Sequence, residues 1–353
     1  MSVTVQQPSA EPVPASSVTI ELPNRASLSL RFADSLGRRT IRPALDRLVM
    51  LADRGPLRGS PAFRIANAAE LVTVPLRARR GTRLRAVRLP GFRAEWLWHK
   101  SIAGPDDPDG GAILYFHGGA FVAGGLHSHR RLTGRITRAA GVPLLNVDYR
   151  QLPAAHFTGT VADALHSYEH LLGLGFAPEK IVFAGDSAGG GLTFATALAA
   201  RERGVPMPGG IVAIAPWADL EPAQRQAHRN DPKDAVLSAF SLSVLARVGF
   251  AVGGELDPQW SPANHDFTGL PAVFIQVGST EVLLADVEQL AQRCHEAAVP
   301  CTVQVWERAP HVFQALADIL PDARTAIADI GRTIRAFVDA GATPLPAGHS
   351  TAA

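Results

Sequence analysis

The sequence predicts an α/β fold in which a mostly parallel sheet carries helices on both faces. Three observations point there. Short apolar runs such as AILYF (112–116), IVFAG (181–185) and AVFIQV (272–277) recur along the chain, and each is short enough for a buried strand. Segments of helical spacing separate them, the alternation that builds parallel sheets. The length of 353 residues suits one large α/β domain with an added cap as well as two domains of about 150 residues.

Taken in order, residues 1–24 are polar with four prolines and read as a mobile tail. Residues 28–66 have helical spacing, with Leu45, Leu48, Val49 and Leu51 on one side of IRPALDRLVMLAD. LVTVPLR (71–77), RLRAVRL (83–89) and RAEWLWH (93–99) are expected strands, with turns at Gly81 and Pro90-Gly91. After the turn PDDPDGG come the strand AILYF, a glycine-rich loop and a helical segment, and then the strand PLLNVD (143–148). TVADALHSYEHLLGL (160–174) is helical, and IVFAG leads into the helix AGGGLTFATALAARER (188–203). IVAIAP (211–216) is a strand, AVFIQV precedes the helix at 282–298, and CTVQVW (301–306) is the last strand before the helix at 324–340. The 53 residues between Trp217 and Pro271 hold no clear strand. That is too long for a bare loop and predicts a cap insertion at about 217–265.

Composition narrows the function classes. Hydrophobic residues make up 46% and charged residues 19%, ordinary globular usage that excludes a disordered chain. A formal net charge of +2 gives no basic footprint for nucleic acid. Cys294 and Cys301 cannot form a disulfide framework and match no common zinc spacing. They read as small hydrophobes on a helix and the strand after it. No apolar run approaches the ~18 residues of a membrane span. The N-terminus lacks a basic start followed by an apolar core, so a cytoplasmic protein is expected.

Gly185-Asp186-Ser187-Ala188-Gly189 fits G-x-S-x-G. Five residues alone could be a glycine turn with a capping serine. Here they sit directly between a strand and a helix, where such a serine occupies a strained bend at the helix N-terminus. His117-Gly118-Gly119-Ala120-Phe121 follows the strand AILYF. Acyl transfer creates an oxyanion that needs preorganised N–H donors, and glycines let backbone approach it. The expected donors are the N–H groups of Gly118, Gly119 and Ala188. His117, which precedes the nucleophile in the chain, is expected to shape this loop.

HGGAF, Asp148-Tyr149-Arg150, GDSAGG, PWADL (216–220), QVGSTEVLL (276–284) and PHVF (310–313) together resemble the hormone-sensitive-lipase-like bacterial carboxylesterases of the α/β-hydrolase fold, over about residues 85–340. The resemblance implies an N-terminal helical cap over the active site, here about 25–70, on a catalytic domain spanning 71–345. It also implies serine-dependent hydrolysis of short- to medium-acyl carboxylic esters and, from the family's edge-strand dimers, a homodimer. Two departures stand out. Ala154 occupies a position where the family often has glutamate, removing one ionic contact. Ala120 replaces a third glycine, whose N–H is not among the assigned donors.

The serine needs a base, and the base an orienting carboxylate, in the chain order Ser, acid, His. Of the histidines after Ser187, His228 and His265 lie in the cap insertion, His295 in a helix and His349 in the C-terminal tail. His311 alone lies in a loop directly after the last strand. The acid should follow AVFIQV. Glu281 comes first and Asp286 five residues later, and both carboxylates are candidates on position. In the matching family motif the residue at the Glu281 position is catalytic. Asp286 then reads as a helix first-turn charge, and Asp186 and Asp219 as structural. His127 and His129 have no neighbouring carboxylate or thiolate for a metal and read as solvated histidines at a helix start. The expected chemistry is two-step acyl transfer with no metal or cofactor. The alternatives are a small-amide or aryl-formamide hydrolase on the same scaffold, and a ligand-binding receptor, which usually lacks one triad member.

Overall fold

The structure, a computed structural model, describes residues 17–54, 59–74 and 77–341. Among the described residues nine strands form one sheet: β1 (Val18–Glu21), β2 (Thr82–Leu89), β3 (Phe92–His99), β4 (Ala112–Phe116), β5 (Leu144–Asp148), β6 (Ile181–Asp186), β7 (Gly210–Ile214), β8 (Val273–Gly278) and β9 (Cys301–Trp306). Their order is β1-β9-β8-β7-β6-β4-β5-β3-β2. The sheet is parallel from β1 through β5. β3 and β2 join antiparallel at one edge, as the gap of two residues between them requires.

The helices are α1 (Leu28–Arg39), α2 (Ile41–Arg54), α3 (Ser60–Ala68), α4 (Glu70–Thr73), α5 (Leu126–Ala140), α6 (Phe157–Gly173), α7 (Ala188–Glu202), α8 (Ala223–Ala227), α9 (Ala239–Phe250), α10 (Leu284–Glu296) and α11 (Pro321–Gly341). Strand alternation sends side chains into two cores. Leu114 and Phe116 of β4 pack with Leu165 and Tyr168 of α6, Leu192 of α7 and Leu290 of α10. Ile113 and Tyr115 point the other way, to Ile136 of α5 and Ile330 and Ile334 of α11. Each such large apolar side chain contributes about 1.5–3 kcal/mol when fully buried. Cys294 and Cys301 are buried free thiols in this packing.

Two expectations need correction. The segment 1–24 is not tail throughout: Val18–Glu21 is a strand paired in register with Cys301–Gln304, while residues 1–16 lie outside the described part. β1 is mostly exposed. Its β-branched Val18, Thr19 and Ile20 suit an edge strand, and backbone pairing rather than apolar burial holds it. The strand expected over 71–77 is absent where described, since Glu70–Thr73 is helical and residues 75–76 lie outside the described part. The Glu70 carboxylate accepts the N–H groups of His127 (2.6 Å) and Ser128 (3.1 Å) at the start of α5. That anchor satisfies free donors of a helix N-terminus.

Candidate active site

The site is assembled at the C-terminal ends of four parallel strands. β6 ends at Asp186, and Ser187 forms the bend into α7 with φ 54° and ψ −122°. This is a strained conformation for a residue with a side chain. It is held by Ser187 N–H donating to the Ile214 carbonyl (2.8 Å) and by the Ser187 carbonyl accepting from Trp217 N–H (2.9 Å). The bend needs small neighbours. A Cβ on Gly189 would overlap the Phe116 carbonyl oxygen at the end of β4.

β8 delivers Glu281 and β9 delivers His311. His311 Nε2 lies 2.9 Å from Ser187 Oγ, and His311 Nδ1 lies 2.6 Å from Glu281 Oε2. The other carboxylate oxygen of Glu281 accepts the Gly278 N–H at 2.7 Å. Both oxygens of this buried acid are thus committed, one to backbone and one to the imidazole. Burial opposes charging of His311. The hydrogen bond and charge of Glu281 outweigh it, helped by Asp234 and Asp186, and raise the pKa above the ordinary histidine value. An imidazole so placed can take the serine proton and remain stabilised as imidazolium.

β4 is the direct neighbour of β6, so the loop after it runs beside Ser187. None of the Gly118, Gly119 and Ala188 N–H groups has an acceptor among the described residues. Gly119 has φ +122°, and a methyl there would overlap the Ala123 carbonyl oxygen, so only glycine fits. His117 is buried beneath the loop, stacked on Tyr149 with ring centroids 4.4 Å apart. Tyr149 donates its hydroxyl proton to the His117 carbonyl (2.6 Å). Burial and the neighbouring His129 keep His117 below the ordinary histidine pKa. Asp186 accepts from Tyr115 Oη–H (2.7 Å) and faces His129 Nε2 at 3.4 Å. His129 is therefore not a solvated helix-start residue: α5 turns it inward. Its burial cost is outweighed by Asp186, which raises its pKa.

The profile of the alpha/beta hydrolase fold family matches residues 113–315. The chain belongs to the α/β-hydrolase family. The esterase LipU of Mycobacterium tuberculosis is 40% identical over 257 residues, covering 71% of this chain and 86% of that protein. An acetyl-hydrolase of Streptomyces hygroscopicus is 37% identical over 248 residues, covering 70% of this chain and 81% of that protein. A crystal structure of an esterase from the bacterial hormone-sensitive lipase family superposes with a TM-score of 0.74 at 30% identity, covering 89% of this chain and all of that one.

In this α/β-hydrolase the second candidate acid, Asp286, lies apart from the imidazole contacts. It is fully buried and paired with the buried Arg225 at 3.0 Å. It also accepts the N–H groups of Ala218 (3.0 Å) and Asp219 (2.9 Å). It is a helix first-turn residue, as expected, but its work is to tie α10 to the segment after β7. Asp219 accepts the Glu221 N–H and a proton from Gln289, and Asp186 the contacts above; neither touches His311.

Two residues near the acid escaped the sequence reading. Asn230 donates to the carbonyls of Ser279 (2.9 Å) and Glu281 (3.0 Å). Asp234 accepts the Val282 N–H at 2.7 Å. Its burial and the adjacent Glu281 charge raise its pKa to about 6. Its Asx-type bonds to Val236 and Leu237 N–H make a turn before α9, and an aspartate there is the one local signal for it. Its place behind the acid loop, 48 residues away from Val282, was not.

Proposed function

We propose that this hormone-sensitive-lipase-like carboxylic ester hydrolase is a cytoplasmic enzyme that cleaves short- to medium-acyl esters with Ser187, His311 and Glu281. The observation that carries this reading is the unbroken chain from Ser187 Oγ through His311 to Glu281 Oε2, at 2.9 and 2.6 Å. His311 takes the serine proton as Oγ attacks the ester carbonyl. The N–H groups of Gly118, Gly119 and Ala188 hold the oxyanion, and their lack of protein acceptors supports that role. His311 then gives the proton to the departing alcohol. Water, activated in the same way, releases the acid from Ser187.

The body-facing sides of helices α1–α4 and the 217–265 segment serve as the cap that bounds the acyl site. α1 reaches the base loop directly, since Arg308, three residues before His311, donates to Asp34 at 2.8 Å. A homodimer of the kind the family implies would pair edge strands and leave each triad within one chain.

The test is a rate profile over p-nitrophenyl esters of increasing chain length, beside Ser187→Ala and organophosphate labelling. Acetate and butyrate esters should turn over best, and Ser187→Ala should lose on the order of 10⁶ in kcat. A labelled serine other than Ser187 would refute the nucleophile. Faster turnover of aryl formamides or small amides would replace the ester reading.

A further inference from the structure

α1 and α2 carry an apolar ridge on the side turned away from the body. An ordinary surface helix turns its apolar stripe to the body and its charges to water. Beside the buried Leu30, α1 turns Asp34 inward to Arg308 and packs Gly37 on Ala235. Its opposite ridge, Leu28, Phe32 and Leu36 at four-residue spacing, is 85%, 68% and 46% exposed. α2 does the same. Asp46 accepts from the hydroxyls of Ser238 and Ser241 at the start of α9. Arg42 pairs with Asp231 and Asp53 with Arg247. The opposite side presents Ile41, Leu48 and Leu51 to solvent. The buried Leu30, the half-buried Leu45 and Val49, and these polar contacts hold the two helices to the body, and the outward apolar residues lie outside that contact.

The charge on this face has one sign. Arg31, Arg39, Arg47 and Arg54 are exposed, and none forms an ion pair among the described residues. The three carboxylates of the two helices, Asp34, Asp46 and Asp53, are all engaged with the body. Residues 25–80 carry twelve arginines, no lysine and four carboxylates in a chain whose net charge is only +2.

We propose that the outward face of α1 and α2 docks on an anionic lipid surface. Leucine and phenylalanine ridges flanked by arginine suit insertion at the headgroup boundary, where apolar side chains leave water and guanidinium groups meet phosphates. A second copy of this chain is the poorer occupant, because it would set like-charged arginines against one another. The location gives docking a consequence. The Asp34–Arg308 contact joins the docked helix to the loop that carries His311. This goes beyond ester hydrolysis itself and does not depend on it.

The test is sedimentation of the full chain with vesicles, with binding as the readout. Vesicles of phosphatidylglycerol and phosphatidylcholine should carry the protein down, phosphatidylcholine vesicles alone should do so far less, and high salt should release it. Replacing Arg39, Arg47 and Arg54 together by glutamate should weaken binding on the order of a hundredfold, from about fivefold per arginine. Replacing Leu28, Phe32 and Leu36 together by serine should weaken it at least about tenfold. These side chains are exposed, so both variants should keep the wild-type circular dichroism spectrum and hydrolyse dissolved p-nitrophenyl acetate at the wild-type rate. No binding to anionic vesicles overturns the proposal, as does wild-type binding by either variant. So does a dimer in sedimentation equilibrium that the serine variant dissolves, for the face would then join two copies of the chain.

Discussion

Glu281→Gln tests the acid with almost no change in volume. One oxygen of Glu281 accepts the Gly278 N–H at 2.7 Å, and the other faces His311 Nδ1 at 2.6 Å. Glutamine has one carbonyl oxygen and one amino group, so it cannot accept from both. If its oxygen stays on Gly278, its amino group faces Nδ1. The imidazole must then carry its proton on Nε2, the nitrogen 2.9 Å from Ser187, and cannot accept the serine proton. If the amide turns over, two N–H groups oppose each other at Gly278, and the imidazolium still loses its counter-charge. The wrong tautomer in other triads costs about 10⁴ in kcat, and about 10³–10⁴ is expected here, or roughly 4–5.5 kcal/mol of transition-state stabilisation. KM should change little, because substrate does not contact this group. The assay is steady-state hydrolysis of p-nitrophenyl butyrate across pH, with circular dichroism to show that the variant is folded. Loss of the Glu281 charge should also lower the ionisation of His311. A folded variant that kept more than about a tenth of wild-type kcat, with its pH midpoint unmoved, would refute the assignment of Glu281.

The remaining predictions concern the base, the buried pair and the oxyanion loop. His311 must be neutral to accept a proton, and Glu281 raises its pKa despite burial, so activity should rise with pH through a midpoint above about 6.5. His311→Ala should remove both the activity and that ionisation. The same raised pKa adds folding stability that is fully present below the unfolded value of about 6.5 and lost as pH rises through the folded one, which urea titrations at several pH values would read. Asp286→Asn leaves the fully buried Arg225 without its counter-ion and should cost about 3–5 kcal/mol of stability, while kcat per folded molecule stays within about tenfold; a crippled but stable Asp286→Asn would reverse the choice of acid. Gly119→Ala forces a side chain into φ +122° and against the Ala123 carbonyl, so kcat should fall about 10²–10³-fold with KM less affected.

Strands β4 to β9 and helices α5, α6, α7, α10 and α11 were legible because their burial is simple, whereas α8 was not read from the sequence. Continuous apolar runs become strands covered on both faces, and Ser187 was readable because a strand, a five-residue turn and a helix are adjacent in the chain. His311 followed from chain order and its loop, since the last strand has only one histidine at its end. The choice between Glu281 and Asp286 was a different kind of question. Position alone left both open, and the family motif favoured Glu281. Their contacts differ: one carboxylate lies 2.6 Å from the imidazole and the other is paired with Arg225. Both partners are distant in sequence, and no local pattern records which of two nearby side chains turns toward them. Distance along the chain also hid Asp234 and Asn230, which reach the acid loop from a segment that read only as a cap. His129 looked solvated because its burial comes from α5 lying over the sheet beside Asp186. The N-terminal helices show the same division. Helical spacing marked α1 and α2, but Leu45, Leu48, Val49 and Leu51 were placed together on one side of α2, and the structure half-buries Leu45 and Val49 while exposing Leu48 and Leu51. Periodicity reports that apolar residues share a face, not which way the face turns. The direction was decided by where Leu30 found the core and where Asp34, Asp46 and Asp53 found partners on the body, and those contacts exist only once the chain is folded.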